Sequence, residues 1–389
     1  MPEAYDVIVI GAGIAGASTA YWLMRGGAGR VLLLERDHAA SGGTGKSAAI
    51  VRQHYSTTLM ARLALASIGM FSRMADELGA SDVFTQSGYL MLVPPKLTEA
   101  AQRNIELQRS AGVETGWLSR NEWEPRLPWL NPEGVGGIIH EPRGGYADSV
   151  RATEAYVQSF VAAGGEFRYR TPCRGLLRDG DRITGVLLDE GGINAGAVVN
   201  CAGPWAHMLA ASAGIQLPLR AVREQDSIWQ LHLGRPAPTT AVSDAVDGIY
   251  FRPLEGGRML IGQGFPKDYV DVDPYNYRLT AEDHFVTLIE ERAERRCPSL
   301  VGMRLAASYA ALYDVTPDWY PFVGPRSDVA GYFDFNGGSG HGFKIAPAIG
   351  SELAEWILTG RVRDDFARLS HDRIAAGRLF AGAYGGNRG

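Results

Sequence analysis

The opening stretch of the chain constrains its fold more than any other. Asp6-Val-Ile-Val-Ile10 is a short run of β-branched residues, the pattern of a strand buried on both faces. Gly11-Ala12-Gly13-Ile14-Ala15-Gly16 follows at once, Ala17 to Arg25 reads as a helix, and Val31-Leu32-Leu33-Leu34 ends at Glu35. Strand, glycine turn, helix, strand and acid is the arrangement that binds a dinucleotide. Gly11 makes the tight turn, Gly13 lets backbone approach a pyrophosphate, and Gly16 lets the helix pack on the strand. The helix N-terminus offers free N–H groups and the positive end of a dipole. Glu35 can accept both hydroxyls of an adenosine ribose, and an acid there disfavours the 2′-phosphate of NADP. The motif by itself does not separate NAD from FAD.

Glycine is in excess: 49 of 389 residues, where an average chain has about 7%. With no Gly-X-Y period, collagen is excluded. The positions of the glycines are more informative than their number. After Glu35 comes Ser41-Gly-Gly-Thr-Gly-Lys-Ser-Ala-Ala-Ile-Val-Arg52, a small-residue loop able to wrap a second part of a cofactor. Ala197-Val-Val-Asn-Cys-Ala-Gly203 is an apolar strand ending in a small-residue turn, followed by Pro204-Trp205. Tyr332-Phe333-Asp334-Phe335-Asn336 runs into Gly337-Gly-Ser-Gly-His-Gly-Phe-Lys344, with a helix expected from Ile345 to Leu358. Three strand-to-glycine-to-helix joints spread over the chain imply one extended ligand, whereas NAD normally needs one joint. The pattern favours FAD.

The remaining composition narrows the class. With 38 basic against 43 acidic residues, there is no basic excess of the kind that nucleic-acid binding requires. Cys173, Cys201 and Cys297 are odd in number and far apart, so neither a disulfide framework nor a zinc site can be drawn from them. A reducing, cytoplasmic compartment is expected. The apolar stretch Tyr5 to Met24 carries Asp6 and patterned glycines, unlike a signal peptide. No other stretch has the roughly 20 apolar residues a membrane span needs.

Five segments together carry a resemblance. They are Val9-Ile-Gly-Ala-Gly-Ile-Ala-Gly16, Ile50-Val-Arg52, Val199-Asn-Cys-Ala-Gly-Pro-Trp205, Tyr313-Asp-Val-Thr-Pro-Asp318 and Gly340-His-Gly-Phe-Lys344. In this order and spacing the chain resembles, over nearly its full length, the D-amino-acid-oxidase-like family of FAD-dependent amine oxidoreductases. It looks closest to the branch of sarcosine oxidase and the sarcosine and dimethylglycine dehydrogenases. The resemblance implies an α/β fold, with a Rossmann-type (glutathione-reductase-like) FAD-binding domain interleaved with an α+β substrate domain on a mixed, largely antiparallel sheet. Residues 1–85, 146–220 and 320–389 carry the glycine joints and are assigned to the FAD-binding domain, and 86–145 and 221–319 to the substrate domain. Thr280 is expected to cap a helix reaching about Arg296, and another helix should hold Leu59 to Ala75.

The same resemblance implies which residues contact the cofactor. They are Gly11, Gly13, Ile14, Ala15 and Gly16 in the first joint, then Glu35, Arg36, Gly43, Thr44, Gly45, Lys46 and Ser47. Cys173 follows, with Cys201, Ala202, Gly203 and Trp205 in the second joint and Gly338, Gly340, His341, Gly342, Phe343 and Lys344 in the third.

Oxidising an amine takes a hydride from the carbon beside nitrogen to flavin N5, so the site must stabilise negative charge on the reduced ring. Lys344, with a following helix N-terminus, suits that task, and the resemblance adds a second role in binding a substrate carboxylate. Arg52 is implied as the second carboxylate ligand, its guanidinium fork matching a carboxylate. Tyr313 and Tyr250 match positions that line the substrate side, and either also fits a half-buried core tyrosine. His341 is given no acid–base role, and Glu224 and Asp226 are given no role.

Departures from the family pattern are equally informative. Where monomeric sarcosine oxidases link flavin through cysteine this chain has Ala311, and where dehydrogenase relatives use histidine the best match is Ser47, so FAD is expected to be non-covalent. Leu260 stands where the oxidases place an oxygen-activating lysine, which weakens the case for oxygen as acceptor. The expected enzyme oxidises the C–N bond of a sarcosine-like secondary or N-methyl amino acid to an imine, which water hydrolyses. A D-amino-acid, glycine or proline dehydrogenase and a non-catalytic flavoprotein subunit or assembly factor stay open as alternatives, as does a partner subunit or separate electron acceptor. No metal is expected.

Overall fold

Two large sheets divide the chain between them in the computed structural model, which describes residues 4–382. The terminal residues assigned above to the FAD-binding domain, 1–3 and 383–389, lie outside this range. The first sheet is built around parallel strands in the order Glu166–Arg168, Val31–Leu34, Ala4–Ile10, Gly191–Asn200 and Tyr332–Asn336. The antiparallel strands Gly175–Asp179, Arg182–Leu188 and Phe322–Pro325 extend it. Its central strands are apolar on both faces because helices cover both. Val7, Val9 and Val199 pack on one side with helices Ile14–Arg25, Thr58–Ser72 and Ala346–Thr359, while Ile8, Ile10 and Val198 pack on the other.

Register brings the three joints together. Ile10 pairs with Asn200 and Asn200 with Asp334, so three parallel strands end side by side, and each chain then turns through glycine toward a helix. Open α/β sheets bind ligands in a crevice beyond the carboxyl ends of their strands. Buried amides tie the second and third joints: Asn336 Nδ2 donates to the Asn200 carbonyl at 2.8 Å, and Gly203 N donates to Asn336 Oδ1 at 3.0 Å.

The second sheet draws its strands only from Tyr89–Glu141 and Arg220–Val315. All its pairings are antiparallel except that of Ala241–Asp244 with Tyr89–Val93. Its long strand Arg220–Gln230 pairs along most of its length with Arg304–Val315. Helix Asp283–Arg296 packs Phe285, Ile289 and Ala293 against this sheet.

Local boundaries differ from expectation in three places. The first helix begins at Ile14, since Gly13 serves as its N-cap. The helix over Leu59–Ala75 breaks at Arg73 into Thr58–Ser72 and Met74–Leu78. Thr280 is not the N-cap of the later helix: Glu282 holds that position, and the Thr280 hydroxyl accepts from Arg278 Nε at 3.0 Å instead.

Candidate active site and flavin cradle

A cavity of about 520 Å³ lies where the strand ends face the second sheet. Gly11, Gly13, Ile14, Ala15, Glu35, Arg36, Gly43, Thr44, Lys46 and Ser47 line it, as do Cys173, Cys201, Ala202, Gly203 and Trp205. Gly338, Gly340, Gly342, Phe343, Lys344, Arg52, Tyr250 and Tyr313 line it too. Three expected contacts do not reach it. A Cβ on Gly16 would stand 1.8 Å from the Gly11 carbonyl oxygen, so this glycine serves the close packing of helix on turn. Gly45 shapes its loop, its N–H donating to Ala40 O at 2.9 Å. His341 points into the protein, with Nδ1 3.2 Å from the Tyr55 hydroxyl and Nε2 2.8 Å from the Trp319 carbonyl. Burial, with the charge of Lys344 nearby, pushes its pKa down to about 3 and keeps it neutral.

Hydrogen bonds brace the glycine turn and the small-residue loop that follows Glu35. Glu35 Oε2 accepts from Ala12 N at 2.9 Å, and Oε1 accepts from Asp37 N at 3.0 Å, which aims the carboxylate past the glycine turn. Thr44 Oγ1 accepts from Ile14 N at 3.2 Å and so joins the small-residue loop to the start of the helix. Lys46 donates to Tyr277 Oη and Ala310 O, both at 3.3 Å, and Ser47 Oγ accepts from Ala49 N at 3.0 Å. The Arg36 guanidinium lies over the Trp205 ring, 3.6 Å from its centre, a cation–π contact at the cavity wall.

At the other end are two cations. The Arg52 guanidinium bonds to the His54 carbonyl and lies 5.1 Å from the Tyr55 ring centre. Lys344 is buried in the single turn Phe343–Ile345, and burial, reinforced by Arg52, lowers its pKa well below the usual lysine value. Neither has a carboxylate partner among the described residues. Glu141 is fully buried and pushed up to about 7 by that burial, opposed by the bond its Oε2 accepts from Gln53 N at 2.6 Å and by the nearby charge of Arg52.

A family model described as "FAD dependent oxidoreductase" matches residues 6–356. The chain belongs to that family. Among the relatives of this FAD-dependent oxidoreductase is the 4-methylaminobutanoate oxidase (formaldehyde-forming) of Paenarthrobacter nicotinovorans, 30% identical over 96% of the chain. The chain spans 46% of that protein's length. Sarcosine oxidase subunit beta of Arthrobacter sp is 26% identical, covering 97% of this chain and 93% of the relative. Among solved structures, L-proline dehydrogenase from P. horikoshii superposes with a TM-score of 0.90 at 29% identity, covering 98% of this chain and all of the other.

The cradle of this FAD-dependent oxidoreductase fits the dinucleotide. Gly11, at φ +100, could carry a side chain only by colliding with the Cys201 carbonyl oxygen 2.5 Å away. Gly203, at φ +55, faces open space on the cavity side, where a side chain would intrude. Glu35, the N-terminal turn of the first helix and the third glycine loop would hold the cofactor, which supplies the hydride acceptor. Cys173 and Cys201 stand unpaired. Among the described residues no helix is long and apolar enough to cross a membrane.

Three polar residues meet on the substrate side: Asp226 and Glu224, without a role from the sequence, and Lys267, which the sequence does not single out. Asp226 lines the cavity and accepts from the Tyr250 hydroxyl at 2.8 Å. Glu224, on the same strand face, pairs with Lys267, which also donates to Gln263 O at 2.7 Å. A signal was available: the strand Arg220–Gln230 alternates, and Val222, Glu224 and Asp226 all point inward. Leu260 does not line the cavity; it is buried in strand Arg258–Gln263, paired with Ile228 and Arg252, whereas Lys267, just beyond that strand, does line it.

Proposed function

We propose that this chain oxidises the C–N bond of a secondary or N-methyl amino acid of the sarcosine type. The carrying observation is the Arg52–Lys344 pair: two basic side chains on one cavity, neither in a direct ion pair among the described residues, suit an anionic substrate group. A carboxylate on Arg52 and Lys344 would hold the amine-bearing carbon in the cavity, with Tyr250 and Tyr313 along its side. The relatives named for 4-methylaminobutanoate, sarcosine and proline share a carboxylate and a secondary amine, which supports the same class. The nine-stranded sheet, supplied by the stretches 86–145 and 221–319, is read as the substrate domain, and the remaining chain as the FAD-binding domain.

FAD is read as non-covalent, since Ala311 and Ser47 both line the cavity and neither offers a thiol or imidazole. Acid precipitation of the yellow protein should leave the pellet colourless. The three unpaired cysteines accord with a cytoplasmic setting, and the relative named a beta subunit accords with a partner subunit.

The function is tested by anaerobic bleaching of the flavin with sarcosine, 4-methylaminobutanoate, proline, glycine and D-alanine. Secondary amines should bleach fastest. Faster reaction with glycine or D-alanine would shift the reading to a primary amino acid, and no bleaching by any of them would leave a flavoprotein without this activity.

A further inference from the structure

The substrate side of the cavity contains a carboxylate whose bonding is incomplete. Asp226 is 5% exposed and lines the cavity. Its Oδ1 accepts from Tyr250, whose hydroxyl is in turn bonded to that of Tyr313, but Oδ2 has no hydrogen bond among the described residues. The neighbouring charges are engaged elsewhere. Lys267 pairs with Glu224, and the Arg252 guanidinium donates to the carbonyls of Ala48 and Pro253. Asp226 Oδ2 is open to the cavity rather than sealed in the protein, and an acid facing a cavity of low polarity is best balanced by a ligand that brings positive charge.

We propose that Asp226 recognises the protonated amine of the substrate, its open oxygen pairing with the ammonium of an N-alkylated amino acid whose carboxylate lies on Arg52 and Lys344. This rests on the amino-acid reading above. The cavity then has poles of opposite charge, a cationic pair for the carboxylate and an acid for the nitrogen. The rings of Tyr250 and Tyr313 beside the acid suit the polarised methyl groups of an alkylammonium, which aromatic faces attract. A neutral amide or alcohol would leave the carboxylate's charge unpaired.

The test compares two ligands of one shape on the FAD-loaded protein. Trimethylglycine carries a permanent cation and no N–H to lose, and 3,3-dimethylbutanoate replaces its nitrogen with carbon. Calorimetry should show the cation bound about tenfold more tightly by the unaltered protein, and Asp226→Asn should abolish that preference while leaving 3,3-dimethylbutanoate affinity within about twofold. A preference unchanged in the variant overturns the proposal and leaves Asp226 as a support for Tyr250. If neither ligand binds the unaltered protein, the amino-acid reading falls and the proposal with it.

Should the variant not fold, the unaltered protein supplies the same answer through pH. Burial raises Asp226 to about 7, opposed by the Tyr250 bond and Lys267. The other titratable or charged groups facing it are Glu224, Arg252, Tyr309 and Tyr313. Protonation below that pKa removes the charge, so cation preference should fall from about pH 9 to about pH 6. Changes at Lys344 act on both carboxylates alike and cancel in the ratio. A preference that stays flat across this range overturns the proposal.

Discussion

The ring of Tyr313 rests on Gly340 so closely that a Cβ there would stand 2.4 Å from it. The third glycine joint and the long strand Arg304–Val315 therefore meet with no room for a methyl group, and Gly340 also holds φ +81, a conformation side chains avoid. Ala in place of Gly340 should cost about 1–3 kcal/mol through backbone strain and displace Tyr313 from the cavity wall. The expected readout is weaker FAD retention on gel filtration, with a flavin spectrum shifted from that of the unaltered protein.

Arg52→Ala and Lys344→Met should each raise KM for carboxylate substrates by about 50-fold, corresponding to the loss of roughly 2–3 kcal/mol of charge-assisted bonding. Amines that lack a carboxylate should be affected little. Steady-state kinetics with matched pairs such as sarcosine and dimethylamine would check this.

Lys344 carries a linked proton. Burial and Arg52 lower its pKa in the free cavity, and an incoming carboxylate favours the charged form. Above that lowered pKa binding must therefore take up a proton, so carboxylate affinity should fall as pH rises. Calorimetry in buffers of different ionisation enthalpy should detect proton uptake in the unaltered protein and none in Lys344→Met.

Off the cavity lining, Arg373 is sealed against Asp318, with Nε to Oδ2 and NH2 to Oδ1 both 2.8 Å. It also donates to the carbonyls of Tyr320 and Leu369, at 2.7 and 2.6 Å. Removing one partner leaves a buried charge unpaired, so Arg373→Met should destabilise by about 3–5 kcal/mol. Denaturant unfolding measures the loss, and substrate specificity should be unchanged in the folded fraction.

The flavin side was legible because its chemistry is carried by backbone. A dinucleotide contacted through N–H groups demands glycine at fixed places, and Gly11, Gly203 and Gly340 mark those places in any reading of the chain. His341 misled for the same reason: it sits within a glycine motif, yet its ring turns away toward Tyr55 and Trp319. The substrate side is carried by side chains whose meeting depends on sheet register. Asp226 and Tyr250 are separated by a strand exchange across Arg258–Gln263, to which both of their strands pair. Lys267 lies beyond the end of that strand. Only the inward alternation at Glu224 and Asp226 hinted that a roof strand held charge.

The way the strands are shared has a consequence for how such a protein can be divided. Neighbours in the first sheet come from residues 4–34, 166–200 and 322–336, with the second sheet's segments threaded between them. No single cut separates one sheet from the other, so neither half can be excised as a contiguous fragment with its own strands intact. A new substrate sheet could enter this architecture only as paired insertions between the flavin segments, never as a terminal fusion.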